Sequence, residues 1–198
     1  MKTSFIIIGI IFLVFLAFQV WASMSTNKTE QYKYTVLRAS KTFEVRKYEK
    51  AVFARTQIDS ETYRSGSGNG FRTLASYIFG GNDRNESIAM TSPVAMSWDE
   101  GMTMEFMMPS KYTLESLPNP NRKDIQIYEK PAVVMAAISF GGFASDDKIQ
   151  EKIKELKKLL DDAGIAHTGQ FQYMGYNPPY QMINRRNDIV VELIDWKE

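Results

Sequence analysis

The sequence of 198 residues contains no cysteine and a single histidine, His167. Without cysteine the chain cannot form disulfides, cysteine-based zinc sites or iron–sulfur clusters, and it cannot use a thiolate as a nucleophile. A single imidazole excludes a histidine-rich metal centre and leaves His167 as the only base for a Ser-His-Asp triad. No Gly-x-Ser-x-Gly motif supplies the matching nucleophile, so the sequence argues against a serine hydrolase and offers no catalytic residue.

The sequence also lacks an excess of charge of either sign. Lys and Arg total 24 against 23 Asp and Glu, and Lys2 is the only charged residue among the first 24. The rest of the chain is therefore neutral, and no run of Lys or Arg is longer than two. A nucleic-acid binder needs a basic surface or a dense basic stripe for the phosphates, so we expect no nucleic-acid partner.

The amino terminus holds one long hydrophobic run, residues 5–18, preceded by Lys2. Two interpretations of residues 1–24 remain open. The first is a secretory signal peptide, since a basic residue precedes an apolar core of suitable length and small residues permit cleavage before Ser23. The second is an uncleaved membrane anchor over residues 5–24, which would span a hydrocarbon core of about 30 Å and place a tryptophan at its surface.

Both interpretations deliver the rest of the chain out of the cytoplasm, to the periplasm or the extracellular space. Residues 25–33 are predicted to form a polar linker, and residues 34–198 have a suitable length for one domain. A domain of that length buries a sizeable core, so we expect its stability to come from packing rather than from cross-links.

The sequence repeats itself at an interval of 80 residues. Tyr48-Glu-Lys-Ala-Val-Phe-Ala54 recurs as Tyr128-Glu-Lys-Pro-Ala-Val-Val-Met-Ala136, and in both copies a strand pattern precedes the motif and a helical pattern follows it. Each helical pattern is followed by a strand that contains proline and by a last alternating strand. The order strand, strand, helix, strand, strand therefore occurs twice, over about residues 43–112 and 125–194.

Each predicted helix has one apolar stripe at helical spacing. The stripe residues are Phe71, Leu74, Ala75 and Ile78 in the first helix and Ile149, Ile153, Leu156 and Leu160 in the second. Strands joined without room for a crossover must pair antiparallel, and two such units can cover their exposed edges by pairing with each other. We therefore predict an α+β fold in which duplicated ββαββ units form a distorted eight-stranded antiparallel β-barrel flanked by two helices.

Methionines are concentrated in the predicted strands. Such side chains either fill an irregular core or line a surface for a flat apolar ligand, and the core is the simpler interpretation. Strand alternation places Met102 and Met104 on one face and Met107 on the other, so these three cannot all line one pocket.

Few other segments suggest a site for chemistry. Gly66-Ser-Gly-Asn-Gly70 lacks the spacing of a phosphate-binding loop, so we interpret it as a flexible loop ahead of the first helix. Arg72, Arg185 and Arg186 would pair with a ligand carboxylate if they are not simply solvated. His167 is predicted in a polar turn, where a surface position is the simpler interpretation.

Five segments together resemble the SOUL heme-binding family. They are Phe43-Glu-Val-Arg-Lys-Tyr48, residues 70–82, Ile88-Ala-Met-Thr-Ser-Pro-Val94, Ser139-Phe-Gly-Gly-Phe-Ala144 and residues 175–188. The resemblance extends over about residues 34–196. It implies a duplicated, distorted β-barrel with two helices that binds heme or a related tetrapyrrole in an apolar surface groove along the first helix, without enzymatic activity.

The resemblance also suggests which residues form the groove. They are Phe71, Arg72, Ala75, Ile78 and Met90. Arg72 would replace the basic residues that contact the propionates in some relatives. Some members carry a histidine, suggested as an axial ligand, where this sequence has Lys47, and a protonated lysine cannot ligate iron. We therefore expect heme to bind without a His or Cys axial ligand, and no metal ligand is predicted.

A second function stays open beside this one. The same groove would suit a protein partner or another hydrophobic small molecule, whether that molecule is bound or transformed. A visible chromophore in protein purified from its source would favour a tetrapyrrole. A colourless protein that copurifies with another polypeptide would favour the alternative.

Overall fold

A computed structural model describes residues 2–98 and 101–197 of the chain. Within these ranges lie three helices and nine strands. In chain order they are α1 (Lys2–Lys28), β1 (Tyr34–Ala39), β2 (Glu44–Tyr48), β3 (Ala51–Ile58), α2 (Tyr63–Ile78), β4 (Val94–Ser97), β5 (Met102–Met107), β6 (Ile125–Lys130), β7 (Val133–Phe140), α3 (Asp146–Asp162), β8 (His167–Gly175) and β9 (Asn187–Leu193).

The strands form one antiparallel sheet, in the order β1-β2-β7-β9-β8-β4-β5-β3-β6, which curls into a half-barrel. The two repeats meet at an approximate twofold axis between β4 and β8, which pair through residues 94–97 and 172–175. The first strand of each repeat pairs with the other repeat, β2 with β7 and β6 with β3. This exchange joins the two halves into a single sheet.

The structure confirms the α+β fold with antiparallel strands and two flanking helices, and it adds one strand to the eight predicted. The additional strand, β1, precedes the first repeat and lies at the edge of the sheet. Its pairing with β2 is irregular between Val36 and Arg38, and most of its side chains are exposed or half-buried. None of the six side chains of β1 is fully buried, whereas each of the other strands buries at least one, so β1 lacks the buried face by which a strand pattern is recognised.

Side chains on the two faces of the sheet form two separate apolar clusters. Along β7, Ala136 and Ile138 belong to the cluster that includes the buried residues of α2 and α3. The alternate residues, Met135 and Ala137, belong to the cluster on the other face. The two helices therefore cover one face of the sheet, while the curled sheet packs against itself on the other.

Helix α2 begins at Tyr63, so the glycine-rich segment 66–70 is helical and the prediction of a flexible loop is wrong. Gly66 and Gly70 lie four residues apart and are buried against the sheet. A Cβ atom at Gly70 would lie 2.4 Å from Ile58 Cδ1. The glycines are required because α2 packs too closely on the sheet to leave room for side chains at these two positions.

The beginnings of α2 and α3 are joined by a carboxylate. Asp146, in the first turn of α3, accepts hydrogen bonds from the backbone N–H groups of Tyr63 at 2.6 Å and Arg64 at 3.3 Å. These two N–H groups have no partner within α2, since they belong to its first turn. The contact fixes the start of α2, and with it the position of the Tyr63 side chain.

Helix α1 contains the segment Phe5–Thr26, which is long and apolar enough to cross a membrane by length and composition, as a signal sequence would also be. Most side chains of this segment are exposed. Gln19, Ala22 and Thr26 are buried, and Gln19 and Thr26 form hydrogen bonds with the segment that follows β8. The carboxyl-terminal end of α1 thus packs on the folded domain.

Residues 25–33, which we predicted as a polar linker, have more structure than a linker requires. Residues 25–28 continue α1. Tyr32 is buried in the second apolar cluster, with its ring 4.8 Å from that of Tyr48 and 5.2 Å from that of Phe53. Backbone hydrogen bonds also tie this stretch to Ser92, from the Tyr32 N–H at 2.9 Å and to the Glu30 carbonyl at 2.9 Å, and neither these bonds nor the buried ring is visible in the average composition.

Candidate functional site

A cavity of about 560 Å³ lies where the amino-terminal half of α2 meets β4 and β8. The segment 176–185 and the carboxyl-terminal end of α1 complete its walls. Most of the lining is apolar or aromatic. These side chains are Tyr63, Phe71, Met90, Val94, Met96, Met104, Tyr173, Tyr176, Pro178, Pro179 and Tyr180. The volume lies in the range of about 300–1,000 Å³ that is usual for sites of small molecules.

Aromatic contacts hold the walls in place. Tyr63 of α2 packs edge-on against Tyr173 of β8, with ring centroids 5.3 Å apart. Phe71 makes a similar contact with Phe106 of β5 at 5.3 Å and keeps 41% of its surface exposed. The Tyr173 hydroxyl donates to Asn187 Oδ1 at 2.8 Å, and burial raises the pKa of this phenol, which therefore stays neutral. The walls present fixed, uncharged aromatic surfaces to a ligand.

Arg185 is the one cation among the described lining residues. Its guanidinium donates to the carbonyl oxygens of Pro178 at 2.7 Å and Gln181 at 2.6 Å, and it lies 4.4 Å from the ring centroid of Phe143. The buried Nε–H group has no hydrogen-bond partner in the part of the chain that the structure describes. Arg185 therefore holds the 176–185 segment in shape, and its guanidinium is the positive charge nearest to the described lining.

A buried ion-pair network supports this wall from behind. Asp188, which is fully buried, accepts hydrogen bonds from four side chains. They come from Arg46 at 2.7 Å, Arg186 at 2.7 Å, Ser139 at 2.7 Å and the Tyr176 hydroxyl at 2.9 Å. Burial disfavours the charged carboxylate, but the hydrogen bonds and charges of the two arginines outweigh this effect and hold the pKa of Asp188 below its usual range. The network fixes Tyr176 in the cavity wall.

The structure brings two of the five predicted groove residues, Phe71 and Met90, into the cavity. Ala75 and Ile78 are 8% and 1% exposed, on the face of α2 that packs on the sheet. Arg72 is exposed, and its guanidinium donates to Asn69 Oδ1, one turn earlier on α2, at 2.5 Å. The apolar stripe, residues 71–78, occupies the carboxyl-terminal half of α2, whereas the cavity opens beside the amino-terminal half, so only Phe71 of the stripe borders it.

Sequence reasoning missed the tyrosines of the site and the end of α1. The tyrosines are Tyr63, Tyr173, Tyr176 and Tyr180. A signal was present for Tyr176, because it belongs to the Gly-Tyr-Asn-Pro-Pro segment on which the family resemblance partly rests. No signal marked Tyr63, since the helix was predicted to begin after the glycine-rich segment.

Neither Lys47 nor His167 lines the cavity. Lys47 is exposed on β2. His167 begins β8 instead of lying in a turn, its Nε2 is 3.7 Å from an Asp161 carboxylate oxygen, and its Nδ1 accepts the Gly169 N–H at 3.1 Å. Over residues 2–98 and 101–197, no group of three His, Cys, Asp or Glu side chains could hold a metal ion. The described walls therefore offer no counterpart of the histidine that some relatives carry.

A second depression, of about 340 Å³, has a different character. Its lining includes the charged residues Arg55, Glu105, Lys130 and Glu192. Glu105 accepts hydrogen bonds from Lys130 Nζ at 2.9 Å and from the Tyr128 hydroxyl, so these groups are already satisfied by one another. Charged walls do not suit a flat apolar ligand, and the larger cavity is therefore the candidate site.

Comparison with known proteins shows which family the chain is similar to. The family model for the SOUL heme-binding protein matches residues 29–192, which begin just after α1. Heme-binding protein 2 of Homo sapiens is 30% identical over 156 residues, which cover 74% of this chain and 76% of the human protein. Heme-binding protein 1 of Xenopus laevis is 28% identical over 155 residues, which cover 74% of this chain and 81% of the frog protein.

Solved structures with the same fold are more distant in sequence. The C-terminal domain of EcmrR superposes with a TM-score of 0.58 at 11% identity, over 82% of this chain and 99% of that domain. A hydrolase from Listeria innocua superposes with a TM-score of 0.52 at 11% identity, over 80% of this chain and 94% of the hydrolase. At these identities the likeness shows the fold alone. The family match and the identity with the human protein show more: the chain belongs to the SOUL heme-binding protein family.

Proposed function

We propose that the chain binds heme or a related tetrapyrrole, without enzymatic activity, in the cavity beside the amino-terminal half of α2. The observation that carries this proposal is the cavity of about 560 Å³ with its aromatic, methionine and proline walls. Burial of a macrocycle against Phe71, Met90 and the tyrosines would contribute about 25 cal/mol per Å² of apolar surface, before the costs of binding. Membership of a family named for heme binding supports the same class of ligand.

Two arginines are available to pair with the propionates of such a ligand. Arg185 lies in the wall and has an unused buried Nε–H group. Arg72 lies one turn after Gly68, which lines the cavity, and its side chain is exposed. We propose that Arg185 contacts a carboxylate inside the cavity and that Arg72 contacts one at the rim. Each pairing would be a charge-assisted hydrogen bond, which is stronger than a neutral one.

The proposed complex does not depend on a His or Cys axial ligand. The chain has no cysteine, and its one histidine does not line the cavity. Apolar contact and carboxylate–arginine pairing would therefore provide the affinity. Bound heme would supply a strong visible chromophore and an iron atom, while the residues of the chain hold and orient the macrocycle and exclude water from its faces.

We propose further that α1 remains attached and anchors the chain in a membrane, with the folded domain outside the cytoplasm. The length and composition of Phe5–Thr26 support a span. The buried contacts of Gln19 and Thr26 with the folded domain support retention of the segment, because cleavage before Ser23 would remove Gln19. The intact mass of the protein recovered from the membrane fraction tests this proposal, since loss of the first 22 residues would contradict it.

Titration of hemin into the purified full-length chain in detergent tests ligand binding. We expect a saturable change in the Soret band at micromolar protein, with about one hemin per chain. The same titration into detergent alone provides the baseline. A Soret band that follows this baseline at every concentration would contradict the proposal.

A second function is favoured by one observation, the lack of a histidine or cysteine among the described cavity walls. In this alternative the cavity holds another hydrophobic small molecule or a segment of a protein partner. Purification from the native source separates the two functions. A coloured protein supports the tetrapyrrole, whereas a colourless protein that copurifies with a polypeptide or an uncoloured ligand supports the alternative.

A further inference from the structure

Helix α1 is held to the segment after β8 by a pair of buried polar side chains. Gln19 is 3% exposed, and its amide donates to the Tyr180 carbonyl at 3.2 Å and accepts the Met182 N–H at 2.8 Å. Two turns further along α1, the Thr26 hydroxyl donates to Gln181 Oε1 at 2.7 Å, and both residues are buried. Consecutive residues of one segment are thus fixed to one side of α1.

The position of Gln19 along α1 determines how deep this contact would lie in a bilayer. Gln19 lies seven residues before Thr26, where the apolar segment Phe5–Thr26 ends. Seven residues of helix extend about 10 Å, and the hydrocarbon core of a bilayer is about 30 Å thick. When the apolar segment spans a bilayer, the residues that Gln19 contacts therefore lie below the surface of the hydrocarbon, beside the helix.

The segment 180–183 has the side chains and the backbone bonding that such a position requires. Tyr180, Met182 and Ile183 are 48%, 55% and 46% exposed, and the Tyr180 ring lies 5.9 Å from the ring of Phe18 on α1. Tyrosine and apolar side chains are typical of the interface between membrane and water. Backbone groups that lack water need a partner within the protein, and Gln19 provides one for a carbonyl and one for an N–H group.

We infer that segment 180–183 is inserted into the lipid bilayer beside α1, and that the cavity adjoins the membrane surface. The cavity shares Tyr180 with this segment, and Thr26 and Thr29 with the end of α1 and the residue beyond it. A flat amphipathic ligand dissolved in the bilayer would then enter the cavity from the lipid rather than from water. The inference rests on the proposed anchoring by α1 and is independent of the identity of the ligand.

The absence of cysteine permits a direct measurement of depth. Met182→Cys and Ile183→Cys are each labelled with the fluorophore NBD in the full-length chain, which is reconstituted into phosphatidylcholine vesicles. Lys158→Cys, on α3 at a side chain that is 74% exposed, is the control. Lipids with brominated acyl chains quench a label that lies in hydrocarbon. We expect the labels at 182 and 183 to lose about half of their emission and the label at 158 to lose little.

A matched pair of substitutions in α1 tests the role of Gln19. Gln19→Leu removes both hydrogen bonds and keeps the helix apolar. Val20→Leu introduces the same residue at the neighbouring position, which is 61% exposed. We expect quenching of the label at Met182→Cys to fall by about half with Gln19→Leu, because the backbone groups it satisfies would return to water, and to stay unchanged with Val20→Leu.

The outcomes separate this inference from the functions proposed above. If the chain floats with the vesicles but labels at 182 and 183 are quenched no more than the label at 158, the inference is overturned and anchoring by α1 stands. A chain that does not float with vesicles overturns both. Hemin binding is measured by absorbance in detergent, so neither outcome decides the ligand.

Discussion

At the scale of single residues, Asp188 joins parts of the chain that are far apart in sequence. Arg46 comes from β2, Arg186 precedes β9, and Tyr176 follows β8 and lines the cavity. Arg46 is 3% exposed and pairs with two carboxylates at 2.7 Å, buried Asp188 and half-exposed Glu44, while Arg186 also pairs with Asp188 at 2.7 Å. Removal of a partner from a buried pair costs more than the pair contributes, because it leaves an uncompensated charge.

We expect Asp188→Asn to lower the free energy of unfolding by about 3–5 kcal/mol for this reason. Asp124→Asn is the matched control, since Asp124 pairs with Arg122 at 2.6 Å with both side chains about half exposed. The control should change the free energy of unfolding by about 0–1 kcal/mol. Urea unfolding of the full-length chain in detergent, followed by near-ultraviolet circular dichroism, measures both. Equal losses in the two variants would contradict the role assigned to the buried network.

The same carboxylate makes stability depend on pH. The pKa of Asp188 in the folded chain lies below its ordinary value of 3.8, so its stabilisation is fully present above that value and is lost as the pH falls through the folded pKa. We expect the free energy of unfolding to decrease below about pH 4, and to decrease less steeply in Asp188→Asn. Urea unfolding at a series of acidic pH values tests this. Identical pH profiles for the parent chain and the variant would argue against it.

Residue positions could be predicted where a regular period decides which way a side chain points. Alternation along β5 predicts that Met102 and Met104 share one face and that Met107 lies on the other, and the structure confirms this. No such rule predicts whether Arg72 or Arg185 borders the cavity. That outcome depends on the path of segment 176–185, which contains no regular element.

At the scale of elements, the contact between α2 and the sheet depends on glycine. A Cβ at Gly70 would approach Ile58 to 2.4 Å, whereas a Cβ at Gly68 would have no neighbour within 4 Å. A sequence rich in glycine and serine is typical of a loop. The four-residue spacing of Gly66 and Gly70 places both on the side of α2 that packs on the sheet. Because this packing is not visible in the sequence, the sequence alone suggested a loop.

We expect Gly70→Ala to lower the free energy of unfolding by about 1–3 kcal/mol, because the added methyl group must displace Ile58 or move the helix. Gly68→Ala, two residues earlier on the same helix, should raise it by about 0.5–1 kcal/mol, since alanine favours the helix and meets no obstacle. Thermal and urea unfolding of the two variants measure the difference. A stabilising effect of Gly70→Ala would show that α2 does not pack as closely as described.

At the scale of the whole molecule, the duplication explains which features of the fold could be predicted from the sequence and which could not. Repetition of the Tyr-Glu-Lys motif, with strand and helix patterns in the same order, predicts two ββαββ units. It does not predict that β2 pairs with β7 and β6 with β3, because each strand has the same local pattern whichever partner it pairs with. The exchange of strands is decided by packing of the complete sheet.

The cavity is a property of the whole molecule for the same reason. The first repeat contributes α2 and β4, the second contributes β8 and segment 176–185, and α1 lies outside both repeats. Of the groove residues expected from the family resemblance, Phe71 of α2 and Met90, which lies between α2 and β4, line this cavity, and the expectation included no residue of the opposite wall. The family resemblance indicates the class of ligand, and the assembled walls indicate where that ligand would lie.

The most direct test of this account compares hemin binding by two phenylalanine variants of α2. Phe71 lines the cavity, whereas Phe79 is 69% exposed at the other end of the helix and does not line it. We expect Phe71→Ala to weaken hemin binding about tenfold, because an apolar contact is lost, and Phe79→Ala to change it by less than about twofold. Soret titrations of both variants and the parent chain provide the affinities. Equal affinities in all three proteins would contradict binding in this cavity.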